Sequence, residues 1–71
     1  MVVCFMVTYS EDGKFFYKRC GTKREASNIA RQSSKGGKTS RVFTAKGEFL
    51  NGTFVERETI FVAEYRDGKR R

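Results

Sequence analysis

The chain has no histidine, no proline and no tryptophan, and only two cysteines among its 71 residues. Without histidine no side chain titrates near neutrality, and no nucleophile has an evident activating partner. Hydrolysis and group transfer therefore have no residues to run on, and the chain reads as non-enzymatic. Cys4 and Cys20 cannot complete a four-ligand zinc site on their own. They also fall short of the cysteine density of secreted disulfide scaffolds, so they read as small apolar side chains in a reducing cytoplasm. No cofactor or metal is expected. Glu56 and Glu58, two apart on a strand, offer a hard cation two carboxylates on one face, or simply make a solvated edge. Gly37-Lys38-Thr39 has the ending of a phosphate loop, but Gln32 stands where that motif needs glycine.

Long apolar runs are missing too. The longest, Met1 to Val7, has no basic region before it. It is too short for a signal-peptide core or a membrane span, so it reads as a strand and no membrane partner is expected. The absence of proline leaves central strands unobstructed and gives the chain no stiff linker. What remains is enough to fold as one small domain: 38% apolar residues, with seven Phe and three Tyr.

Val2–Tyr9 and Lys14–Cys20 are β-prone runs joined through Asp12-Gly13, a pair suited to the positive φ of a tight hairpin turn. Two registers are open. A two-residue loop sets Tyr9 opposite Phe16 and Phe5 opposite Cys20. A loop with a Gly13 bulge sets Tyr9 opposite Phe15 and Cys4 opposite Cys20. Because side chains alternate, that choice decides which of Phe15 and Phe16 faces outward.

Thr22 and Glu25 have capping-box spacing, which predicts a helix start, with Ala26, Ile29, Ala30 and Ser33 on its inner face. Arg24, Asn28, Arg31 and Lys35 line the outer face. Lys35–Ser40 should end the helix as a mobile basic loop, with Gly36 left-handed. The second half predicts strands at 41–44, 48–50, 53–55 and 59–65. A turn is expected around Ala45-Lys46-Gly47 and a hairpin at Asn51-Gly52, as one long hairpin or two short ones. The resulting fold class is α+β: ββα followed by two to three strands, with one helix on a mainly antiparallel sheet. The domain covers 1–66 and 67–71 form a flexible basic tail. The uncovered sheet face would be exposed unless the chain forms a homodimer.

Fifteen basic residues against eight acidic give a net charge of +7, and the charge is segregated. Residues 13–46 hold ten cations and one acid, while residues 47–68 are net negative. A one-sided positive field concentrates and orients polyanions. Candidate binding residues are therefore Lys14, Phe16, Tyr17, Lys18 and Arg19 on the second strand, Lys23, Arg24, Asn28, Arg31 and Lys35 on the helix, and Lys38 and Arg41 after it. Aromatics interleaved with cations in Phe15–Arg19 suit the stacking of unpaired bases; the alternative is that these rings are core.

The stretch Asp12 to Ala30, with its Asp-Gly-Lys turn and Thr-Lys-Arg-Glu-Ala helix start, resembles the N-terminal DNA-binding modules of phage-type tyrosine integrases and AP2-like domains. The resemblance covers nineteen residues. It implies a sheet that enters the major groove, with Lys14, Tyr17, Lys18 and Arg19 facing it. A looser likeness is to small phage proteins that bind host machinery. The expectation is a nucleic-acid-binding domain, DNA or RNA, of phage or mobile-element origin. Its alternative is an inhibitor or adaptor docking on an acidic patch of a host protein.

Overall fold

A computed structural model describes residues 2–71. Along the chain come strand β1 (Val2–Glu11), strand β2 (Lys14–Cys20), helix α1 (Lys23–Ser33) and strands β3 (Thr39–Leu50), β4 (Thr53–Arg66) and β5 (Lys69–Arg70). The strands make one antiparallel sheet in the order β2-β1-β3-β4-β5. The single eleven-residue helix lies on one face of that sheet, so strand predominates.

Three Xaa-Gly pairs set the hairpins. Asp12-Gly13, Asn51-Gly52 and Asp67-Gly68 all have positive φ at both residues, near +50° and then near +80°. This is the mirror-image turn whose twist matches that of the flanking strands. The two-residue loop at Asp12-Gly13 fixes Tyr9 opposite Phe16 and Phe5 opposite Cys20. The second half is one long hairpin, β3–β4.

The third pair corrects the expected tail. Residues 67–71 do not fray: β5 pairs Lys69 and Arg70 with Arg66 and Tyr65, and the Arg71 N–H donates to the Glu64 carbonyl at 2.8 Å. The turn is also tied to the end of the helix. The Gly68 N–H donates to Ser34 Oγ at 3.0 Å, and that buried hydroxyl donates in turn to the Arg31 carbonyl. The Gly37 N–H donates to Asp67 Oδ1 and the Asp67 N–H to the Lys38 carbonyl. The loop expected to be mobile is thereby fastened to the β4–β5 turn.

Helix α1 begins as its cap predicts, with extended backbone at Thr22 and Thr22 Oγ1 accepting from the Glu25 N–H at 3.2 Å. Ala26 and Ala30 are fully buried against Val7, Val42, Ala63 and Tyr65, with Cys20 closing the cluster and Phe5, Ile29 and Val62 packed around it. Two alanines on the inner face let the helix backbone approach the sheet closely. Tyr65 is the largest buried side chain, and the Arg31 guanidinium lies over its ring at 5.9 Å.

The β3–β4 hairpin bends. A straight strand of fourteen residues would span about 45 Å, more than the 39 Å longest extent of the domain. The bend arises at two irregularities, where β4 carries one residue more than β3: Val62 opposite Val42/Phe43 and Arg57 opposite Lys46/Gly47. Ala45-Lys46-Gly47, expected to turn, is instead continuous strand beside the second bulge. That bulge also separates the two acids. Glu58 pairs with Lys46 and Glu56 with Gly47, so they fall on opposite faces and cannot share a cation there.

Candidate nucleic-acid interface

Pairing and alternation divide the sequence-predicted residues between two faces. On β2, Lys14, Phe16, Lys18 and Cys20 share the helix side, since Cys20 and Phe5 are partners in or beside the core. Phe15, Tyr17 and Arg19 point the other way. The four residues implied as groove-facing are therefore split, with Lys14 and Lys18 on one side and Tyr17 and Arg19 on the other. Phe16 stacks on Tyr9, centroids 5.6 Å apart, and is still 42% exposed. Phe15 is the outward ring, 86% exposed.

The helix side holds the larger charge. Lys14, Lys18, Lys23, Arg24, Arg31, Lys35 and Lys38 are all exposed, with Asn28 exposed among them. Among the described residues the ion pairs are Arg41–Glu64 at 3.0 Å and Arg57–Glu48 at 3.5 Å. None of these seven takes part in either. From Arg24 to Lys35 the helix and its cap run about 16 Å, a length over which a duplex carries roughly ten phosphate charges. Gln32, Ser33, Lys35 and Lys38 frame a hollow of about 220 Å³ against Tyr9, Ser10 and Glu11 at the helix's C-terminal end.

No family model, curated protein or solved structure matches the chain. The interface therefore rests on its geometry alone.

The opposite, uncovered face is aromatic, and pairing arranges it in cross-strand rows. Arg19, Met6, Phe43 and Phe61 form one row, Tyr17, Thr8, Arg41 and Glu64 the next. Tyr17 and Phe61 are 65% and 55% exposed, and Phe61 meets Phe43 edge-on at 5.8 Å. The bent hairpin arm folds over one end of this face and brings Phe54 beneath the Arg19 guanidinium, 5.2 Å from the ring centroid. Arg41, grouped by sequence with the helix cations, belongs to this face and is held by Glu64. Phe43 and Phe61 were not among the predicted residues. Their signal was the Arg41–Thr44 and Thr59–Tyr65 strand pattern, but the bulge at Val62 hides which members share a face.

The cysteines lie on opposite faces, because Cys4 pairs with Ala45 and its neighbour Phe5 with Cys20. Both thiols are free. Burial pushes the Cys20 thiol up, with the nearby Glu25 charge adding to the effect and Lys18 opposing it. The folded state thus holds this proton more tightly than the unfolded chain does. The associated stability is present below the ordinary thiol value and is lost as pH rises through the folded one. We expect the urea midpoint to fall between pH 8 and pH 10 by more in the wild type than in Cys20→Ala. On the native protein, half-buried Cys4 should react with a thiol reagent before Cys20 does.

Proposed function

We propose that the chain is a non-enzymatic α+β domain that binds nucleic acid, of phage or mobile-element kind and working in a reducing cytoplasm, with its strand–helix–loop cations on the phosphate backbone. The observation that carries this reading is that seven exposed cations stand on the helix side and, among the described residues, none of them is held by an acid. Cations kept only for solubility are commonly interspersed with acids, whereas these seven share the helix side with only a few, among them Glu11 on β1 and Glu25 on α1. Of the five acids between residues 47 and 68, Glu48, Glu56 and Glu58 lie on the hairpin arm, Glu64 is beside Arg41 on the uncovered face and Asp67 is in the last turn. Among the described residues no helix is long and apolar enough to cross a membrane.

The alternative, an inhibitor or adaptor on an acidic host-protein surface, is favoured by Phe16. That ring stays 42% exposed amid the cations, as an interface anchor would. Salt separates the two. Neutralising six phosphates gives a log–log slope of affinity against salt of about −4 on a single strand to −5.5 on a duplex. Fluorescence anisotropy with labelled oligonucleotides should show that slope. No binding at low salt, or a flat slope, would overturn the nucleic-acid reading in favour of the protein partner.

A further inference from the structure

We infer that the uncovered face of the sheet is a second binding surface, one that seats unpaired bases, so that the domain takes nucleic acid with a single-stranded segment. The inference deepens the nucleic-acid reading and rests on it for the class of ligand, but it concerns different residues on the opposite side of the sheet.

Tyr17 stands between two hollows. One, of about 400 Å³, is lined by Met6, Thr8, Tyr17, Arg19, Phe54 and Glu56. The other, of about 360 Å³, is bounded by Tyr17 and Phe15 on β2 and by Arg41 and Phe43 on β3, with Thr8 in its floor. Both volumes fall in the range of small-molecule sites, roughly 300–1,000 Å³. A planar base in each would have the Tyr17 ring between them, with Phe43 and Phe61 beyond. Every base has a π-face, so such a platform tolerates sequence; a duplex keeps its π-faces stacked inside and offers nothing to these rings.

The cations on this face are already positioned. The Arg19 guanidinium is held over Phe54 and the Arg41 guanidinium by Glu64, one beside each hollow. Arg66 and Lys69 add charge at the far end, sharing a face with Thr39 and Arg41 by register. Four cations against Glu56 and Glu64 leave the face positive. That balance is what decides its occupant. A second copy seated here would bring another chain of net charge +7 against a positive face, whereas a polyanion is attracted to it.

The test uses the full chain, a labelled twelve-nucleotide oligothymidylate and a twelve-base-pair duplex. Tyr17→Ala should weaken binding of the single strand about 5- to 150-fold, the range for loss of one stacked base, and change duplex binding less than about twofold. Tyr17→Phe should restore the single strand, since the ring and not the hydroxyl stacks. Because Tyr17 is exposed, its melting temperature should hold. Equal losses on both probes, or no loss on the single strand, overturn the inference. So does sedimentation showing that Tyr17→Ala turns a dimer into a monomer at unchanged single-strand affinity. Failure of the helix-side reading looks different: the duplex fails to bind wild type while the single strand still binds through Tyr17.

Discussion

Lys23→Glu with Arg24→Glu is expected to lower duplex affinity by about 100-fold near 0.1 M salt and to make the salt dependence shallower by about two units. Each cation lost from a phosphate leaves one counterion unreleased, and near that salt concentration one counterion is worth roughly a factor of ten. The fold should tolerate the change. Both residues are exposed in the first turn of α1, where carboxylates complement the positive end of the helix dipole, and the Thr22 cap is untouched. Circular dichroism and thermal melting check that the loss is one of binding. Undiminished duplex affinity in a folded variant would place the phosphates elsewhere.

Gly47→Ala is expected to lower the melting temperature by about 4–24 °C. A Cβ at this position would collide with the Val55 carbonyl oxygen and lie 2.9 Å from both the Val55 carbonyl carbon and Phe54 Cζ. The ring could move, but the backbone oxygen belongs to the paired strand beside the Arg57 bulge. Forcing an atom into so tight a contact costs typically 1–3 kcal/mol, and each kcal/mol is about 4–8 °C in a domain of this size. The same displacement should lift Phe54 from beneath Arg19 and open the larger hollow on the uncovered face. Spectra showing the Arg19 side chain shifted, with the resonances of α1 in place, would confirm that the damage is confined to the arm. A melting temperature within about 2 °C of wild type would mean that the arm does not close on Gly47.

Much of the fold was legible because its signals are local. An Asp-Gly or Asn-Gly pair between β-prone runs needs only its own backbone freedom to turn, and Thr22 caps a helix from three residues away. The third such pair, Asp67-Gly68, carried the same signal. It read as a tail because no apolar strand follows it. What orders it is distant: Ser34 and Gly37 at the end of α1. The bulges were not legible, since one extra residue such as Val62 or Arg57 leaves composition and alternation almost unchanged while reversing the faces of everything beyond it. The site suffered from the same cause. Residues 14–19 read as one basic-aromatic run, yet a strand sends alternate members to opposite faces, so Lys18 and Tyr17 serve different surfaces. Segregation of charge was visible, but its lack of internal partners required the positions of Glu48 and Glu64.

The measurement closest to the central claim is a titration of ¹⁵N-labelled protein with the duplex, followed by amide and arginine side-chain resonances. Binding through the helix-side cations predicts saturable shifts at Lys18, Lys23, Arg24, Asn28, Lys35 and Lys38, with Tyr17, Phe43 and Phe61 unmoved. A spectrum unchanged at excess duplex and low salt, or shifts confined to the uncovered face, would contradict it.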